Sequence, residues 1–180
     1  MGLFSYSKEI KLKLSDFKME SSEASLTATR LSPEFLKTLP DPPKDISSKT
    51  TISSKTRRAT VQLFGGKVDI IFDPDESDKY QDEFVEKIND QLNWIVNNKT
   101  AIDDAIVREL LGLKNSKWLD AGESPLTAKK FLNKIKFQSI ELFDDVAFEL
   151  SYNDGKLFGG HSISVPVTFD RKIERVTIEG

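Results

Sequence analysis

Apolar and polar positions alternate along this chain in two distinct periods. Between Lys8 and Phe17 the period is two, with Ile10, Leu12 and Leu14 on one side and Lys11 and Lys13 on the other, which predicts a half-buried strand. Ala24–Arg30 is its expected weaker partner. Ser32-Pro33-Glu34 is placed to cap a short helical turn running through Leu39. The clearest hairpin lies within 60–72. There Val61-Gln62-Leu63-Phe64 and Val68-Asp69-Ile70-Ile71-Phe72 flank Gly65-Gly66, whose freedom to adopt positive φ suits a tight turn. Because no helix follows that glycine pair, it is not a phosphate-binding loop.

The period then changes to that of a helix. Tyr80, Phe84, Ile88, Leu92 and Ile95 share one face, and Asn97-Asn98 ends the run. Ile102, Ile106, Leu110 and Leu113 predict a second helix, with Thr100 and Asp103 as a capping pair. A short polar link between the two predicts an antiparallel helix hairpin. Trp118 falls in a loop. Thr127 is placed as N-cap of a third helix over 128–135, with Leu126 and Phe131 spaced as a hydrophobic staple. Strands over 137–143, 146–152, 161–168 and 173–179 then form a meander punctuated by Asp144-Asp145 and Asn153-Asp154-Gly155. The expected fold is α+β: an antiparallel sheet ending in a C-terminal β-meander, two or three helices on one face, and an N-terminal β lobe. Residues 1–58 form that lobe and a polar linker, and 59–180 the core domain, unless 1–180 is one continuous domain.

The linker is the stretch 40–58. Pro40, Pro42 and Pro43 are followed by Ile46-Ser47-Ser48-Lys49-Thr50, repeated as Ile52-Ser53-Ser54-Lys55-Thr56. Such a tract buries little apolar surface, so it reads as an exposed loop or a polar edge strand.

Composition narrows the function classes. At 180 residues and a net charge of −3, the chain is long enough for one good core and lacks the basic excess of a nucleic-acid binder. The absence of cysteine removes disulfides, thiolate metal sites and cysteine nucleophiles together. No run of about 18 apolar residues is present to span a membrane. Lys8, Glu9, Lys11 and Lys13 interrupt any signal-peptide core, so a cytoplasmic location is expected.

Candidate chemistry is sparse. His161 is the single histidine, and a Ser-His-Asp device needs two further partners converging on it. A structural ring is the plainer role; a small hydrolase-like enzyme with a cleft near His161 is the alternative. Asp73-Pro74-Asp75-Glu76-Ser77-Asp78 has the look of a calcium loop, but Asp78 and Phe84 stand where glycine and glutamate are required, so helix capping is the better account. No metal and no cofactor is expected. Between Asp73 and Asp90, eight acids stand against Lys79 and Lys87, a balance of −6. On the first helix Asp82, Glu83, Glu86 and Asp90 avoid the apolar stripe. Asp75, Glu76, Asp82, Glu86 and Asp90 are therefore the candidate contact for a basic protein surface. Lys129, Lys130, Lys134 and Lys136 form a smaller patch of opposite sign.

Several strings resemble an uncharacterised bacterial family, domain of unknown function 2262. They are Leu110-Leu111 through Asn115-Ser116-Lys117-Trp118, Leu126-Thr127, Phe131-Leu132, Ser139-Ile140, Asp154-Gly155-Lys156-Leu157-Phe158-Gly159-Gly160-His161-Ser162-Ile163, and Ile178-Glu179-Gly180. Small acidic cytoplasmic proteins of this kind resemble the immunity proteins of bacterial toxin systems. By analogy the resemblance implies a non-enzymatic protein that neutralises a cognate, basic toxin by direct binding, as a monomer or weak homodimer. A structural or regulatory dimerisation module is a further alternative.

Overall fold

The computed structural model describes residues 10–27, 49–74, 81–143 and 147–180. The expected turn over 32–39, the proline stretch through Ser48, and Asp144-Asp145 lie outside these residues. Seven strands form one sheet in chain order: β1 (Lys18–Thr27), β2 (Lys49–Leu63), β3 (Gly66–Phe72), β4 (Lys136–Leu142), β5 (Phe148–Asn153), β6 (Ser162–Val167) and β7 (Thr177–Glu179). Every pairing is antiparallel except β3 with β4. Three helices lie in the chain between those two strands: α1 (Gln81–Asn97), α2 (Lys99–Lys117) and α3 (Ala128–Leu132). Parallel neighbours need a long crossover, and the helices supply it. The fold is thus α+β with an N-terminal strand region, as the hydrophobic pattern predicts, and β4–β7 make the expected meander.

Register explains the burial. Ala59, Ile70, Ile140, Leu150 and Val165 are successive partners across five strands, and all are buried. Phe72, Leu142, Phe148 and Val167 form the next buried row. These rows and the apolar stripes of the helices make one core cluster. Ring contacts join the layers: Phe84 meets Phe72 edge-on at 5.1 Å, and Trp94 meets Phe148 at 5.8 Å. The alternate positions Thr60, Asp69, Ser139, Ser151, Ser164 and Thr177 are polar. On that polar face Arg58 clasps its neighbours, with Nη1 donating to Asp69 at 2.8 Å and Nε to Glu20 at 3.0 Å.

Three expectations need correction. The alternation of Ile10, Leu12 and Leu14 is real in burial, but the segment is not a strand. It leads into a 3₁₀ turn, Leu14–Asp16, and β1 starts at Lys18. Its backbone is paired by a side chain instead: Leu12 N–H donates to Asn89 Oδ1 at 2.7 Å, and Asn89 Nδ2 donates back to the Leu12 carbonyl at 2.9 Å. The polar tract from Lys49 to Arg58, read as an exposed loop or a polar edge strand, is strand: it pairs with β1 along its whole length but with β3 only at Arg57 and Arg58, so among the described residues Lys49–Thr56 is paired on one side alone. Thr100 does not cap α2, because that helix already begins at Lys99, and Asp103 pairs with the Lys99 ammonium. Leu113, assigned to the buried stripe, is 37% exposed.

Ile140 sits at the centre of the sheet with no solvent exposure. Ile140→Ala is expected to cost about 3 kcal/mol in urea denaturation through lost burial and a residual cavity. Ser139→Ala, its polar-face neighbour, should stay within about 0.5 kcal/mol.

Candidate functional site

Three places concentrate chemistry. The first is the exposed face of α1. Its apolar residues Val85, Ile88, Leu92 and Ile95 are buried, which turns Asp82, Glu83, Glu86 and Asp90 to solvent. Asp82, Glu86 and Asp90 follow one another at helical i, i+4 spacing and so share a stripe. Asp75 and Glu76 lie outside the described residues. Asp90 has a partner that the sequence does not announce: Arg171 Nη2 lies 3.5 Å from its carboxylate. Arg171 Nε also donates to Gln91 Oε1 at 3.2 Å. Arg171 belongs to a tight turn after β6, closed by Thr168 N–H to the Lys172 carbonyl at 3.0 Å and Arg171 N–H to the Thr168 carbonyl at 2.8 Å. Its φ is +66°, a left-handed conformation unusual outside glycine. The same turn carries Phe169, which is 68% exposed. Through Arg171, the turn that carries this exposed ring is tied to Asp90 and Gln91 of α1.

The second place is the turn from Asp154 to His161. Asp154 is 1% exposed. Its carboxylate accepts backbone N–H groups from Phe158 at 2.7 Å, Lys156 at 2.9 Å and Gly160 at 3.0 Å. Burial alone would raise this carboxyl; the three donors, with a smaller contribution from nearby His161, outweigh it and hold Asp154 below its ordinary range. Gly155 adopts φ +61° and passes so close to the Lys134 carbonyl that a Cβ there would lie 2.2 Å from the oxygen. Phe158, fully buried, meets Trp118 at 5.7 Å and Phe131 at 6.2 Å. His161 is half-buried, edge-on to Trp118 at 6.0 Å and against Gly180. Among the described residues no group of three or more His, Asp or Glu side chains is arranged to hold a metal ion. Trp118, expected in a loop, closes α2 as its C-cap.

The third place is a cleft of about 710 Å³ at the N-terminal ends of β3 and β4. Lys67, Lys99, Asp103, Lys136, the β2–β3 turn, Phe137 and Tyr152 line it. Tyr152 stacks on Phe137 with centroids 4.8 Å apart. Its hydroxyl is enclosed and has no hydrogen-bond partner among the described residues. Burial pushes the phenol's pKa up, and the neighbouring Asp103 charge adds to the effect. Sequence reasoning misses this cleft. The residues come from four separate stretches, and none forms a recognisable motif.

Two consequences are measurable. Asp154→Asn should lower stability at neutral pH by about 1–3 kcal/mol, the range for hydrogen bonds to a buried charged group. A depressed carboxyl contributes stability above its unfolded pKa of about 3.9 and loses it as pH falls through the lower folded value. The gap between wild type and Asp154→Asn in thermal melts should therefore close below about pH 4. Tyr152→Phe removes an unpartnered hydroxyl, so it should leave stability unchanged or raise it by up to about 1 kcal/mol. A loss larger than that would show that the hydroxyl makes a bond in solution.

No described helix is long and apolar enough to cross a membrane. No curated protein and no solved structure matches the chain. Residues 53–178 match the family described as "Uncharacterized protein conserved in bacteria (DUF2262)". The match takes in the helices, strands β3 to β6 and the turn built on Asp154, which includes the strings that carry the resemblance except the final Glu179-Gly180. Spanning more than half of the sequence, it establishes that this chain belongs to that bacterial family.

Proposed function

We propose that this chain is a non-enzymatic binding protein that docks a basic protein partner on α1, in the manner of immunity proteins that neutralise a cognate toxin. The observation that carries the reading is the state of the helix carboxylates. Asp82, Glu83 and Glu86 are exposed and have no ion-pair partner among the described residues. Like charges at i, i+4 spacing repel one another, so the stripe does not help the isolated helix. A basic surface would relieve that repulsion and associate faster through the long-range field.

Phe169 gives the same surface an apolar anchor. Interfaces draw most of their energy from a few aromatic or arginine residues surrounded by polar groups. The Arg171 contacts with Asp90 and Gln91 fix the turn that presents Phe169, which limits the ordering entropy lost on association. Occlusion of a toxin's active site by this surface is the mechanism the reading implies.

Where a neighbouring gene encodes a toxic domain, co-expression of this chain with that domain should restore growth. Asp82→Lys, Glu86→Lys and Asp90→Lys combined should weaken the purified complex by a few kcal/mol in calorimetric titration, roughly the coupling of close interfacial charges. Growth arrest that the wild-type chain does not relieve would refute the immunity reading. Affinity unchanged by all three reversals would remove α1 from the interface.

A further inference from the structure

The cleft beside the β2–β3 turn departs from the arrangement of lowest local energy at three points. The turn has two residues, Phe64 and Gly65, between the paired Leu63 and Gly66. Both have positive φ, +50° and +83°, which makes it a type I′ turn. Asn-Gly is the favoured pair in such a turn, because asparagine tolerates the left-handed region and a bulky ring does not. Here a phenylalanine takes the strained position, and its ring is 44% exposed. Across the cleft, β4 slips register between Phe137 and Ser139, a bulge that re-aims the side chains around Gln138. Below them the Tyr152 hydroxyl is enclosed without a partner among the described residues. Strained backbone, bulges and unsatisfied polar groups gather where a fold is shaped for a ligand.

The charge points the same way. In a chain of net charge −3, three lysines line the cleft against one aspartate. Lys99 is neutralised by Asp103, and its ammonium lies 5.2 Å from the Phe64 ring centroid. Lys67 and Lys136 have no ion-pair partner among the described residues. Helix α2 starts here, and its N-cap residue Asn98 makes no side-chain capping bond. The helix therefore adds its positive end to the same field. Phe64 and Phe137, with centroids 6.1 Å apart and tilted by 31°, supply an apolar wall. At about 710 Å³ the cleft falls in the range that holds a small organic molecule.

We propose that this cleft binds a small organic anion with a flat ring. The ring lies against Phe64 and Phe137, and a carboxylate or phosphate head group faces Lys67 and Lys136. This site is separate from the acidic face of α1 and does not depend on a protein partner.

Amide-resolved NMR titrations of the full chain with naphthyl phosphate, naphthoate and uncharged naphthylmethanol test the proposal. Saturable shifts are expected at Gly65, Gly66, Lys67 and Lys99, with an anion bound about tenfold tighter than the alcohol, as two charge-assisted contacts require. The tighter of the two anions identifies the head group. Lys67→Ala with Lys136→Ala should bring the anion down to the alcohol's affinity without changing the melting temperature. Phe64→Asn should weaken all three ligands while raising the melting temperature, because it relieves the turn. The proposal is overturned if millimolar anion leaves those four amides unmoved, or if the alcohol binds as tightly as the anions. It is also overturned if the double lysine variant keeps its preference for the anions.

Discussion

Strands β3 and β4 lie side by side and run the same way, with Ile70 opposite Ile140 and Phe72 opposite Leu142. Hydrogen bonds between parallel strands can form only if the chain travels back to its starting end. In this protein the return journey contains every α-helix among the described residues. Each helix must therefore lie against the sheet, and its apolar stripe meets the rows that run through those same two strand pairs. The flanking strands need no such constraint. Their pairings are antiparallel, and β2, β5 and β6 continue the alternation of buried and polar positions set at the centre.

Around this frame, polar side chains do work that regular secondary structure would otherwise do. Asn89 on α1 receives and returns hydrogen bonds with the backbone of Leu12. Asn115 on α2 does the same for Leu126, accepting from its N–H at 2.8 Å and donating to its carbonyl at 2.9 Å. In both cases a carboxamide imitates a neighbouring strand for a single residue, which suffices to hold a loop whose backbone groups would otherwise be unpaired. Lys114 is buried for a similar reason. Its ammonium reaches the Trp118 carbonyl and lies 2.7 Å from Glu123, so it ties the end of α2 to the following loop. The Lys114 contact, reinforced by the Asp120 N–H, holds the Glu123 carboxyl below its ordinary value. On the polar sheet face the balance is reversed. Burial raises the Glu149 carboxyl; the Ser164 hydroxyl opposes the rise, and Glu179 and Glu141 add to it.

Much of this was readable from residue order. Ile88, Leu92, Ile95, Ile102, Ile106 and Leu110 recur at helical spacing and are all buried, because a helix against a sheet has one inward face. Gly65-Gly66 marked the hairpin, although the positive φ angles expected of that pair fall on Phe64 and Gly65, and Thr127 caps α3, accepting from Lys130 N–H. Long-range pairing was not readable. Nothing local distinguishes β3 as parallel to β4, and nothing local says that Leu12 will be paired by Asn89, 77 positions away. The polar strand Lys49–Arg58 was obscure for a different reason: its order comes from the ladder with β1, and from β3 only at Arg57 and Arg58, rather than from an apolar run of its own. The acidic stripe was legible as an amphipathic pattern. The Arg171 strut that ties the turn after β6 to it was not, since a left-handed arginine leaves no mark in the sequence.

The unequal lengths of the first strands have a mechanical consequence. β2 pairs with β3 only from Arg57 onward, whereas its ladder with β1 continues from Arg58 back to Lys49. Among the described residues most of that ladder is therefore a ribbon two strands wide, and such a ribbon is marginal in water on its own. It can unzip from its far end, rung by rung, and the opening stops at Arg58, where the guanidinium links Glu20 to Asp69. Opening of this outer arm as far as Arg58 would break no pairing within the buried row that runs from Ala59 to Val165.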